Sequence, residues 1–168
     1  DKSFATFKDT EYDFSINITA SDIFNPDVHD YLLAKIDEYG IASQLILEIV
    51  ESEGFERYDE IKTFIDEIKA LGRRIAIDDF GSGYSNFEHI INLNVDYIKI
   101  DGSLIKDITT DHNAHLVTQM ITLIAQQIGA QTIAEYVHSD EVYQMIKELG
   151  IHYSQGFYFG QPAPFITK

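Results

Sequence analysis

The arrangement of apolar patterns constrains this chain most. Six short strand-like stretches alternate with longer amphipathic, helix-like ones. The strands read as Phe14–Thr19 (FSINIT), Leu45–Val50 (LILEIV), Arg74–Asp79 (RIAIDD), Tyr97–Asp101 (YIKID), Gln131–Val137 (QTIAEYV) and Tyr153–Phe159 (YSQGFYF). Between them the spacing predicts helices near Pro26–Tyr39, Phe55–Leu71, His115–Ile128 and Asp140–Leu149, with a shorter one starting near Ser85. Gly40, Gly72, Gly129 and Gly150 each stand just past a periodic segment, where a left-handed helix C-cap falls. Ser139, followed by Asp140 and Glu141, reads as a helix start.

Such alternation implies parallel strands joined by helical crossovers. An open doubly wound sheet and a closed (β/α) barrel both satisfy it. A dinucleotide-binding sheet calls for a glycine-rich turn after its first strand, and NITAS (Asn17–Ser21) has no glycine. A barrel needs eight strands over about 250 residues. This chain has 168 residues, so a barrel here is short, with its missing part expected at the N-terminus. We expect one domain over residues 1–168. The net charge of -16 argues against a basic groove for a nucleic-acid polymer, while allowing a site that concentrates divalent cations. There is no cysteine, so disulfides and thiolate metal sites are excluded. No apolar run reaches the roughly 18 residues of a membrane span.

Each strand carries a polar or charged residue at or near its C-terminal end, where ligand sites gather in parallel α/β folds. The set holds five acids, Glu48, Asp78, Asp79, Asp101 and Glu135, against Lys99, with Asn17 and Gln155 on the first and last strands. Converging carboxylates either take up protons or bind cations, and one or two hard ions, Mg²⁺ or Mn²⁺, suit oxygen ligands. Asp78 and Asp79 are neighbours, and neighbours on a regular strand face opposite ways. Both serve one site only if the strand ends between them, and Gly81-Ser82-Gly83 then permits a sharp turn.

Taken together, these segments resemble the EAL domain family, phosphodiesterases that cleave the bacterial messenger cyclic di-GMP. SINIT, LEIVES, IDDFGSGYSN, DYIKID, TIAEYV and QGFYFGQP are similar, in order, to the family's motifs. The resemblance implies an EAL-type, TIM-like (β/α) barrel, N-terminally incomplete in this chain. It implies Asn17, Glu48, Asp78, Asp79, Asp101 and Glu135 at the metals. Lys99 is implied at the reacting phosphate or water, Glu51 as anchor of the loop that follows it, and Gln155 near the nucleophilic water. The implied reaction is hydrolysis to linear pGpG with two Mg²⁺ or Mn²⁺ ions; the alternative is a weak or inactive receptor module that binds the nucleotide. The implied setting is cytoplasmic, as a homodimer through the Phe80–Ser85 loop. An upstream sensor or diguanylate-cyclase-like domain fits the family, as does a membrane anchor elsewhere in the full-length protein.

Two departures stand out. No Glu-Ala-Leu motif precedes Asn17, so we expect a fragment of a longer protein rather than a shortened homologue. In EYVHSDE, Tyr136 stands where the family has Gly, and His138 where it has an acid three residues after the strand's Glu. Base stacking on an aromatic residue is compatible with the composition, but the sequence singles out none.

Overall fold

The computed structural model describes residues 2–50, 57–83 and 87–163. Its elements run α1 (Lys2–Phe7), β1 (Phe14–Ile18), α2 (Ala20–Ile23), α3 (Pro26–Tyr39), β2 (Leu45–Val50), α4 (Tyr58–Ala70), β3 (Arg74–Phe80), α5 (Phe87–Asn92), β4 (Tyr97–Ile100), α6 (Gly102–Lys106), α7 (His112–Ile128), β5 (Gln131–Ala134), α8 (Asp140–Glu148) and β6 (Tyr153–Ser154). The fold is α/β, as expected. The chain forms two compact units, residues 1–78 with 86–96, and residues 79–85 with 97–168.

In the first unit the strand order is β1-β2-β3, all parallel. Register places Asn17 beside Glu48, and Glu48 beside Ala76. Asp78 lies two residues beyond Ala76 and therefore on the same face. Leu45, Leu47 and Ile49 are fully buried on the opposite face of β2. Helix α4 closes over the core with Ile61, Phe64, Ile65 and Ile68, a spacing that puts all four on one stripe. Each such side chain contributes roughly 1.5–3 kcal/mol by leaving water. Helix α3 is bounded by local chemistry: Asn25 accepts from Asp27 N, Pro26 opens the first turn, and Gly40 closes it at φ 65°.

Two short helices in this unit escape the apolar pattern. Thr19, expected to end β1, instead caps α2. It and Asp22 form a reciprocal capping box, with Asp22 N donating to Thr19 Oγ1 at 3.2 Å and Thr19 N to Asp22 Oδ2 at 3.0 Å. The Thr19 hydroxyl, donating to Asp22 Oδ2 at 2.6 Å, and the Thr19 N–H together hold the Asp22 carboxyl below its ordinary pKa. Helix α1 presents Phe4 and Phe7 to Phe14, with Phe7 stacked at a ring separation of 4.6 Å. The Gln44 amide donates to Phe7 O and Tyr12 O, tying that segment to the start of β2.

In the second unit the last residues of β3 lead the order β3-β4-β5-β6. Asp101 N donates to Phe80 O at 3.1 Å, and β4-β5 and β5-β6 are parallel ladders. All four residues of β4 are buried, as expected of a parallel strand covered on both faces. Helix α7 seats Ala114, Thr118, Ile121, Thr122 and Ala125 and ends at Gly129, φ 78°. Among the described residues no helix is long and apolar enough to cross a membrane.

Candidate active site

Strand β4 forces a lysine into the interior. Lys99 sits among Tyr97, Ile98 and Ile100 with only 5% of its surface exposed. A buried ammonium is costly unless a charge and hydrogen bonds compensate it. Register on β5 supplies the partner. Lys99 stands beside Ile133, and Glu135 follows two residues later on the same face. Lys99 Nζ lies 3.0 Å from Glu135 Oε1.

The same carboxylate is held from β6. Gln155 N donates to Ala134 O at 2.8 Å, extending the ladder one residue past the strand. The Gln155 amide then donates to Glu135 Oε1, also at 2.8 Å. Glu135 is thus oriented by an ammonium and an amide. The protein offsets part of its own acid charge here, where the sequence alone pointed to protons or bound cations.

Asp79 brings a second carboxylate. Its ligand oxygen and that of Glu135 lie within 4.8 Å of one another. The expectation that β3 ends between Asp78 and Asp79 is corrected. The strand runs through both, to Phe80, and the alternation is broken instead by left-handed backbone at Asp79, φ 55°. Asp tolerates that conformation better than most side chains. Gly81 follows at φ 94°, and Ser82 N donates to Asp79 O at 3.3 Å, which turns the chain at once. Two carboxylates this close form an oxygen donor set that fits a hard divalent cation.

The remaining expected residues fall in several places. Asn17 is exposed and Glu48 half-buried, side by side on one face of the first unit's sheet. Asp78 is buried on β3 in that unit. Asp101 lies just past β4, where its Oδ1 accepts from Ser103 N at 2.9 Å and caps α6. Glu51 lies outside the described residues, as do Tyr84 and Ser85 of the expected dimer loop.

Sequence reading missed the partnership of Lys99 and Gln155 on a single Glu135 oxygen, although the period-two alternation on β4 and β5 carried half of it. The sequence marks Tyr136 as standing in place of the family's Gly, but leaves its backbone conformation unmarked. Tyr136 has φ 57° and, with Asp79, is one of two non-glycine residues with positive φ among those described. Its Cβ fills the space beside Gly102, where an added Cβ would come within 2.8 Å of it. His138 Nδ1 lies 3.3 Å from Tyr136 O, and the two rings are 5.7 Å apart.

Comparison with known proteins decides the lineage. The EAL domain profile matches residues 2–162. This chain belongs to the EAL domain family. A probable cyclic di-GMP phosphodiesterase, PdeA of Escherichia coli (strain K12), is 34% identical over 90% of this chain and 21% of its own length. The cyclic di-GMP phosphodiesterase PdeA of Borreliella burgdorferi is 35% identical over 97% of this chain and 24% of its own length. The chain therefore spans less than a quarter of these EAL relatives. Among solved structures, the calcium/cyclic di-GMP complex of Klebsiella pneumoniae BlrP1 matches with TM-score 0.88 and 26% identity, over 96% of this chain and 42% of that one. The PaMucR phosphodiesterase in complex with c-di-GMP gives 0.85 and 26%, over 92% and 63%. The EAL fold, TIM-barrel-like in these neighbours, is thus shared along nearly all of the chain.

Proposed function

We propose that this chain is the C-terminal portion of an EAL domain that hydrolyses cyclic di-GMP to linear pGpG with two Mg²⁺ or Mn²⁺ ions. The observation that carries the reading is the approach of Asp79 and Glu135 within 4.8 Å, with Lys99 and Gln155 holding Glu135. Names of relatives and the nucleotides in similar structures support the substrate.

In this reading Asn17, Glu48, Asp78, Asp79, Asp101 and Glu135 would hold the ions. The ions, when bound, supply an activated water and offset charge on the phosphate. Gln155 orients that water beside Glu135. Lys99 keeps Glu135 aimed, and presents its positive charge to the phosphate as negative charge develops. Glu51 anchors the loop that follows it. The protein acts in the cytoplasm as a homodimer through the Phe80–Ser85 loop, with sensor or cyclase-like segments in the full-length chain.

Tyr136 and His138, in place of a glycine and an acid, favour one competing reading, a receptor that binds the nucleotide without turnover. Full-length protein incubated with cyclic di-GMP and Mg²⁺ or Mn²⁺ separates the two. Accumulation of pGpG supports the enzyme; tight binding with intact nucleotide supports the receptor.

A further inference from the structure

We propose that Tyr136 is a stacking platform for one purine base of the cyclic dinucleotide. The inference rests on the reading above and adds a specificity residue to it.

The backbone makes the first argument. A bulky aromatic residue at φ 57° is a conformational outlier, and a glycine there is free of strain. Strain of this kind persists where the surroundings fix it, and it concentrates at functional sites. Here the surroundings do fix it. The Tyr136 stem lies over Gly102, which has no side chain to compete for the space. Yet the residue remains 56% exposed. The stem is held and the ring is presented.

The second argument is the space the ring faces. Tyr136 lines a cavity of about 480 Å³ with His138, Gln155, Phe157, Gln161 and Pro162 among its walls. That volume lies within the roughly 300–1,000 Å³ of small-molecule sites. Among the described residues no Asp, Glu, Lys or Arg lines it, although the chain carries a net charge of -16. A neutral, flat heteroaromatic group suits such walls. Aromatic faces stack on it, and the amides of Gln155 and Gln161 can meet its polar edge.

The third argument is continuity. Gln155 belongs to the cavity and also donates to Glu135 Oε1 at 2.8 Å. Gln155 therefore links the cavity wall to the carboxylate. A nucleotide seated there divides by chemistry, its phosphate at the acid-and-lysine cluster and its base against Tyr136. His138 steadies the platform, with its ring 5.7 Å from that of Tyr136.

The test is calorimetric titration of cyclic di-GMP into full-length protein with Ca²⁺, the ion of the similar BlrP1 complex. Y136F keeps the ring and is expected to hold Kd within about twofold. Y136G and Y136A remove it and are expected to raise Kd roughly 5- to 150-fold, the range of base–aromatic stacking. Y136G also relieves the strained backbone, so loss of fold does not account for its weakened binding. Y136G binding as tightly as wild type overturns the inference and leaves the proposed function standing. Wild-type protein that does not bind cyclic di-GMP overturns both.

Discussion

The ends of β3 and β5 solve one problem in two ways. Each delivers a carboxylate and then leaves the sheet through left-handed backbone. At β3 the acid itself takes the unusual conformation, with Asp79 at φ 55°. At β5 the acid, Glu135, precedes it, and Tyr136 bears a positive φ of 57°. Aspartate accepts this region at modest cost, while a large aromatic does not. The strain at β3 is therefore matched to its residue, and the strain at β5 is in excess of what the turn requires. The difference marks Tyr136, not Asp79, as the position where stability has been given up for something else.

The largest expected effect lies at the partner of the β5 end. Gly156 approaches Val137 so closely that an added Cβ would lie 2.2 Å from its carbonyl oxygen and 2.4 Å from its nitrogen. Backbone cannot swing aside as a side chain can. G156A is expected to destabilise by about 3 kcal/mol, read as a drop in Tm of roughly 6–12 °C. By contrast, at the β3 turn a Cβ on Gly81 would meet the flexible tip of Leu104.

A smaller effect sharpens the comparison. Y136G is expected to raise stability by about 1 kcal/mol, whereas D79G gains less than about half of that. Denaturant melts of the two variants decide it; equal gains would erase the distinction between the strand ends. Gly102 offers a cross-check. G102A alone is expected to cost about 1–2 kcal/mol, because its Cβ would fall 2.8 Å from that of Tyr136. In a Y136G background the same change is expected to cost only a few tenths.

The smallest effect lies away from both ends. Arg74 donates to both Asp13 oxygens, at 2.8 and 2.6 Å, and its hydrogen bonds hold the Asp13 carboxyl below the ordinary range. A lowered folded pKa stabilises above the unfolded value of about 3.9, and the contribution is lost as pH falls through the folded pKa. The pair is partly exposed, so a few tenths of a kcal/mol is expected. D13N should fall slightly behind wild type at pH 6 and converge on it as acid takes the pH below the folded Asp13 pKa, read by denaturant melts across that range.

The regular parts of the fold were legible because periodicity and punctuation agreed. Gly40, Gly72, Gly129 and Gly150 all adopt positive φ, and Ser139 caps α8 through Val142 N. β2 and α3 match their expected limits residue for residue. Errors cluster where local chemistry overrides hydrophobicity. QTIAEYV is apolar enough for a strand to Val137, yet β5 stops at Ala134 because the chain turns left-handed at Tyr136. YSQGFYF shortens to Tyr153–Ser154 because Gly156 starts a turn, with Phe159 N donating to Gly156 O. Its aromatics then gather with Tyr143 instead of alternating across a sheet. At the site, the identity of Glu135, Lys99 and Gln155 was readable from strand ends and family motifs. Their convergence on a single carboxylate oxygen was not, since register between strands is a tertiary property. The left-handed backbone at Tyr136 left no mark in residue type, because the sequence places there a residue that ordinarily avoids it.

The central claim is that the acids at the ends of β3 and β5 together hold a divalent cation. Calorimetric titration of Mn²⁺ into full-length protein, beside its D79N and E135Q variants, tests it most directly. Both substitutions keep side-chain shape and remove charge. The account predicts that each weakens Mn²⁺ binding by at least about tenfold, with little change in Tm for D79N and a lowered Tm for E135Q, which removes the carboxylate charge beside the buried Lys99 ammonium. Unchanged Mn²⁺ affinity in either variant would contradict it.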